Sequence, residues 1–301
     1  YKILGGGRFV GLDNFIQVMS QDTFWRGLLC SFQYVALSLS LGFFVPIFLA
    51  LMLSEVPRGK MLYRTLYYLP AITSGVVIMF LWKIFYSPTP QGLFNQILGL
   101  INHVLGPLGV NIPAQLWLGD SRLAMLCIVL PVIWAGAGPG SIIYLAALKS
   151  IPEEMYEAAD VDGAGIWVKI RHVCFPMLKP LIIINFVGAF IGAFKAMENV
   201  FIMTGGGPNY ATQVIGLDIW YNAFMYLKFG FATSEAWIMG SMLIDYIELV
   251  TLLCDQKEVE RLTEISKCLI ALLECPDIDF FSVQSRFKGG FFQRFLRFCE
   301  P

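Results

Sequence analysis

The chain has 301 residues, of which 57% are hydrophobic and 14% charged, and its mean hydropathy is +0.66. Soluble domains carry roughly 25% charged residues, so the composition excludes an ordinary water-soluble globule and makes a bilayer the main solvent. Basic residues number 21 and acidic residues 22, for a formal net charge of -1, so no global field favours nucleic acid or another polyanion.

In chain order, five apolar runs occur at residues 32–53, 67–85, 123–148, 181–204 and 236–254. Each approaches the length of about 20 helical residues that crosses a hydrocarbon core of roughly 30 Å. The first four show little polar face, unlike a helix on a soluble core, and in lipid the backbone must be satisfied within a helix or a closed barrel. The expectation is an all-α membrane protein, a polytopic helix bundle with five visible spans. Residues 1–28 form an external segment, 29–254 the membrane domain and 255–301 a charged tail.

Basic residues mark the cytoplasmic side. Arg58, Lys60 and Arg64 lie in loop 55–66, and Lys149, Lys169, Arg171 and Lys179 in loop 149–180. Loop 86–120 has no Lys or Arg, and loop 205–235 has only Lys228. These two loops are therefore placed outside with residues 1–28, where Lys2, Arg8 and Arg26 soften the asymmetry, and the C-terminus in the cytoplasm.

Pro131, Gly136, Gly138, Pro139 and Gly140 interrupt the third run. Missing donors and absent side chains predict a kink or a close neighbour, with a flexible gate as the sharper reading. The Gly136 to Gly140 stretch lacks the Gly-Lys-Ser/Thr of a phosphate loop, so any ATP site belongs to another chain. In the fourth run Gly188 and Gly192 form a GxxxG spacing that suits helix packing. Lys195 and Glu198, spaced i, i+3 and flanked by Asn185 and Asn199, predict a shared polar side of one helix. Charges at that depth are costly unless paired or hydrated. The four residues are read as a polar translocation route, with an ion pair near the outer interface as the structural alternative.

Loop 151–180 reads IPEEMYEAADVDGAGIWVKIRHVCFPMLKP. Pro152 with Glu153, Glu154 and Glu157 predicts a helix start; a second helix resumes after Gly163 and Gly165, and Pro176 is expected to break it. The loop resembles the inner-membrane components of binding-protein-dependent ABC importers, whose motif is EAA, three residues, Gly, nine residues, then Ile-x-Leu-Pro. Glu157, Ala158, Ala159, Gly163 and the run Val173, Cys174, Phe175, Pro176 keep that spacing with two conservative substitutions, and Asp162 and Ala164 complete the extended form.

The resemblance implies a type I ABC importer fold and a coupling loop, 149–180, whose short helix fits a cleft on a cytoplasmic ATPase. Glu157, Ala158, Ala159, Asp162, Gly163 and Pro176 are its implied coupling residues. Residues 9–15, Thr204-Gly205-Gly206-Gly207-Pro208-Asn209 with Thr212, and Ala223-Phe224 with Gly230-Phe231-Ala232 are similar to the carbohydrate-uptake branch. Against that pattern the five runs are spans two to six, and a first span is expected upstream of Tyr1. The implied protein is a multi-pass permease of the bacterial inner membrane, paired with a second homologous permease, two ATPases and an external solute-binding protein. ATP and Mg would sit on the ATPases, with no cofactor on this chain.

Trp220, Tyr221, Phe224 and Tyr226 suit either an interfacial aromatic anchor or stacking on a sugar or partner. Seven cysteines without a CxxC pair and two histidines provide no metal spacing, and no catalytic constellation stands out. The resemblance ends near residue 244. Beyond it, an amphipathic helix is expected at 258–274 and an aromatic-basic membrane-surface stretch at 291–298. Two rival functions are an ion-coupled secondary transporter, with Lys195 and Glu198 as its relay, and a scaffold that binds an ATPase and moves no solute.

Overall fold

The computed structural model describes residues 10–55, 60–105 and 112–255, and these contain helices and connections with no strand. Helices α1 (Asp13–Ser20) and α2 (Asp22–Leu37) each open on an aspartate, whose charge complements the positive helix end. Through a π turn at Ser38–Gly42, α2 runs into α3 (Phe44–Glu55). The continuous rod Asp22–Ser54 has 33 residues. At 1.5 Å per residue it measures about 50 Å, so it begins well ahead of the predicted run 32–53.

The second predicted span is not straight. Helices α4 (Lys60–Ile72) and α5 (Gly75–Phe85) meet at a break where the axis turns by 93°. Ser74 is extended at φ -55° and ψ 134° and begins a new helix, while the Thr73 amide still closes back on the Pro70 carbonyl at 3.2 Å. Thr73, Ser74 and Gly75 interrupt the apolar run here, three residues after Pro70, and mark the break. Helix α6 (Leu93–Leu105) follows in the loop beyond.

Helix α7 (Ala124–Lys149) passes Pro131 and Pro139 without interruption. Two of its glycines serve close approach: a Cβ on Gly138 would lie 2.0 Å from the Tyr67 carbonyl oxygen, and one on Gly140 3.0 Å from Pro46. The backbones of α4 and α7 therefore touch, and α7 also carries the broadest packing with α3. In contrast, a Cβ on Gly188 or Gly192 would meet nothing within 4 Å. Among the described residues the GxxxG spacing packs no neighbour.

After α8 (Glu153–Val161), helix α9 (Ile166–Lys169) continues through a π turn, Ile170–Cys174, into α10 (Phe175–Phe194). The expected break at Pro176 is corrected: Ile166–Phe194 is one rod of 29 residues. The π turn, closed by the Phe175 amide on the Ile170 carbonyl, changes the bonding register just before the residue that lacks an N–H. The rod stops at Phe194, so the fourth run, predicted over 181–204, is both earlier and shorter at its outer end.

Helices α11 (Glu198–Met203) and α12 (Ile215–Trp220), with a π turn at Tyr221–Met225, lead to α13 (Phe229–Asp255). The rod that α2 and α3 form, α7 and the rod ending in α10 have the length and apolar character to cross a membrane, and the bent pair α4–α5 supplies a fourth crossing if it acts as one. By rise alone, the 27 residues of α13 reach about 40 Å. A shared core of Tyr34, Ile78, Met125, Ile128, Val200 and Leu217 joins α2, α5, α7, α11 and α12. Phe44, Phe48, Leu69, Ile72, Phe80 and Ile84 remain exposed on α3 to α5, as lipid-facing positions do. The expectations for 258–274 and 291–298 fall outside the described residues.

Candidate functional site

The loop between α7 and the Ile166–Phe194 rod folds into a compact projection. Pro152 precedes α8 and Glu153 and Glu154 occupy its first turn, where carboxylates face the unbonded amides. No residue of α8 is buried, so this helix presents its surface rather than filling a core. It ends in a doubly bonded turn: the Ala164 amide donates to the Ala159 carbonyl at 2.9 Å, and the Gly163 amide to the Asp160 carbonyl at 3.0 Å. Such a turn needs a left-handed residue after the cap, and Gly163 supplies it with φ +71°.

Glu157 and Ala158 lie exposed on α8, Ala159 is half-buried, and Asp162 caps the helix beside Gly163. Pro176 lies apart from them, inside the first turn of α10. Two side-chain links hold the projection to its base. Tyr156 Oη lies 3.4 Å from the buried Cys174 Sγ, and Lys169 Nζ pairs with Asp160 Oδ1 at 2.5 Å. Around them Val161 is 88% exposed and Trp167 79%, so an apolar rim borders the small-residue face. That chemistry suits docking on another protein.

Between the α2–α3 rod, α7 and α10 lies a cavity of about 370 Å³. The π turn contributes Ser38, Leu39 and Gly42, α7 contributes Gly136, Gly140 and Tyr144, and α10 contributes Asn185, Gly188 and Ala189. Small residues leave the space; Ser38, Tyr144 and Asn185 supply neutral hydrogen-bonding groups, and no lining residue is charged. Asn185 Nδ2 donates to the Leu181 carbonyl at 2.9 Å, which leaves its carbonyl oxygen toward further partners. π turns recur at functional sites in helices, and here one forms part of the wall.

Of the residues expected to form a polar route, Asn185 alone lines this cavity. Lys195 caps the end of α10 and Glu198 opens α11, so they do not share one helix face, and their side chains form no ion pair. Asn199 Nδ2 approaches Tyr34 Oη at 3.5 Å. Sequence reasoning missed Ser38 and Tyr144, which look like ordinary polar residues in apolar runs. The interruption by Gly136 and Gly140 was a usable signal, since absent side chains also make room.

Beyond the membrane runs, segment 204–213 is tightly closed: Thr212 Oγ1 donates to the Gly207 carbonyl at 2.7 Å and lies 2.7 Å from Thr204 Oγ1. Trp220 packs against Phe201 at 4.9 Å between centroids and against Tyr221 and Phe224. These aromatics thus pack first on one another. Phe224 and Tyr226 stay exposed.

A helix bundle with a projecting EAA loop and an uncharged cavity is the architecture of a transport-system membrane subunit. The chain belongs to the family of binding-protein-dependent transport system inner membrane components, whose model matches residues 22–248. It is 32% identical over 222 residues to the trehalose/maltose transport system permease protein MalF of Thermococcus litoralis, covering 74% of this chain and 70% of that one. Identity to the sn-glycerol-3-phosphate transport system permease protein UgpA of Yersinia pestis is 32% over 242 residues, with 78% and 77% covered. Among solved structures, a bacterial ABC transporter involved in import of the acidic polysaccharide alginate superposes with a TM-score of 0.71 at 26% identity, covering 81% of this chain and 83% of that one. The chain is thus an ABC importer permease subunit, and the ion-coupled alternative is not favoured.

Proposed function

We propose that this subunit forms part of the translocation path for a carbohydrate delivered by an extracytoplasmic solute-binding protein. The observation that carries this reading is the continuity of helix Ile166–Phe194, whose loop end bears Lys169 and whose membrane part lines the cavity through Asn185, Gly188 and Ala189. Neutral hydroxyl and carboxamide groups beside Phe43 and Pro46 suit a hydroxyl-rich solute with apolar C–H faces. The alginate transporter, solved in complex with an alginate pentasaccharide-bound periplasmic protein, and the sugar permease MalF support the same class of cargo.

The partners in this reading are a second homologous permease, two cytoplasmic ATPases that hold ATP and Mg, and the binding protein on outward loops 86–120 and 205–235. The setting is the bacterial inner membrane. Glu157 offers a carboxylate to a basic group on an ATPase, Ala158 and Ala159 allow close approach, and Asp162 and Gly163 set the turn. ATPase closure displaces the loop and, with it, the spans.

The test is ATP hydrolysis stimulated by the loaded binding protein in a reconstituted complex. Glu157→Lys and Gly163→Pro are expected to abolish stimulation and sugar uptake while the complex still inserts. Uptake that persists without ATP sinks the reading.

A further inference from the structure

At the outward end of the bundle, α12 and α13 meet around two acidic side chains and one amide. Asp218, 7% exposed, and Glu235, fully buried, both accept from Asn222 Nδ2, Asp218 Oδ2 at 3.4 Å and Glu235 Oε2 at 3.1 Å. Asp218 Oδ1 accepts a second bond, from Gln213 Nε2 at 2.7 Å. Glu235 Oε1, in contrast, is buried and receives no donor. The shared Asn222 Nδ2 brings the Glu235 carboxyl together with that of Asp218.

Two carboxylates in contact through one neutral amide, with no cation, would leave a fully buried negative charge with a single shared donor. Burial of that kind costs far more than adding a proton to one of the pair. Asp218 accepts from two donors, whereas Glu235 lacks one at Oε1 and suits the acid. Among the described residues, no charged group on the surrounding elements donates to Glu235. From α1, which packs on the start of α13 through Asn14 and Gly230, the acidic group is Asp13. From the π turn come Tyr221 and Tyr226. Lys228 lies over the Tyr226 ring, and Lys195 at the end of α10 is exposed. None of these bonds Glu235.

We propose that Glu235 carries a proton and donates it to Asp218, so that an acid and a carboxylate clasp segment 213–225 to the start of α13. Glu235 is then a positioning residue. Through Asp218 and Asn222 it fixes the base of the exposed aromatic tip Phe224 to Tyr226, on the side that the proposed function assigns to the binding protein. Its role in transport rests on that reading; its protonation does not.

Infrared difference spectroscopy on the full chain in lipid at neutral pH, comparing the unaltered protein with Glu235→Gln, tests the proton directly. A protonated carboxylic acid band present in the unaltered chain and absent from the variant is expected; a spectrum in which the variant removes only a carboxylate band overturns the proposal. Uptake by the reconstituted complex provides the second readout. Glu235→Gln, which still donates to Asp218 and accepts from Asn222, is expected to transport like the unaltered chain, whereas Glu235→Ala loses about tenfold, the factor one buried hydrogen bond carries. If Gln fails as Ala does, or Ala transports normally, Glu235 does not act as a neutral clasp.

Discussion

Lys169 Nζ and Asp160 Oδ1 stand 2.5 Å apart across the EAA loop, joining the end of α8 to the base of the next helix. Asp160 is largely exposed, with 62% of its side chain accessible, and exposed pairs contribute no more than about 1 kcal/mol. The bond therefore sets an angle more than it stabilises a fold. Reversing either charge, with Asp160→Lys or Lys169→Asp, is expected to lower sugar taken up per ATP hydrolysed by up to about fivefold, and the double swap to restore it. A double swap as poor as either single change would show that the pair does not position the loop.

Gly163 should tolerate alanine poorly despite open space around it. Its φ of +71° is unfavourable for any residue with a Cβ, at about 1 kcal/mol, and no atom lies within 4 Å of the added carbon. Gly163→Ala is thus expected to weaken stimulated hydrolysis through the turn alone, with unchanged melting of the membrane domain in detergent.

Gly138 is the opposite case. An alanine there would press against the Tyr67 carbonyl, 2.0 Å from its oxygen, and backbone cannot yield as a flexible side chain does. Overpacking of this kind costs about 1–3 kcal/mol. Gly138→Ala should lower thermal stability clearly while Gly192→Ala, which meets nothing in this chain, should not; equal melting of the two would refute the α4–α7 contact.

The cavity can be tested by filling it. Gly136 lines it and has no atom within 4 Å of an added Cβ, so Gly136→Leu is expected to insert normally and to reduce uptake at least about tenfold by occupying solute space. Normal uptake at all sugar concentrations would remove the cavity from the path.

Asn95 organises the outward loop around α6. Its two amide hydrogens are shared among the carbonyls of Ser87, Pro88, Thr89 and Gln115 at 3.2–3.4 Å, and its oxygen accepts from the Gln115 amide and Trp117 Nε1, each at 3.0 Å. Removing so many buried partners at once leaves several groups unpaired, at about 1–3 kcal/mol each. Asn95→Ala should make segment 86–120 cleavable by protease added outside, and resistance equal to that of the unaltered loop would count against this role.

Much of this architecture was legible because its causes are local. Run length disclosed three of the five expected spans and the two halves of a bent fourth, and the EAA spacing disclosed the projection. Three features were not legible. The turn at Thr73 and Ser74 is marked only by a short Thr-Ser-Gly interruption inside a longer apolar run, and the end of α10 at Phe194 has no Gly or Pro between it and Glu198. Lys195 and Glu198 consequently looked like helix neighbours. Pro176 appeared to be a stop because nothing in the composition announces a π turn. The cavity depends on which small residues three separate helices bring together, and only tertiary packing decides that.

The unbroken helix from Ile166 to Phe194 has a mechanical consequence. Lys169 and Asn185 are 16 positions apart, about 24 Å along a helix, with no loop between them. A tilt imposed at the loop end would be delivered to the cavity wall as a lever delivers it, with compliance at the widened turn Ile170–Cys174 and at Pro180, which brings no amide donor to the helix. In the proposed mechanism, stiffness along this single rod, rather than a relay of side-chain contacts, would set how much of an ATPase stroke reaches the solute.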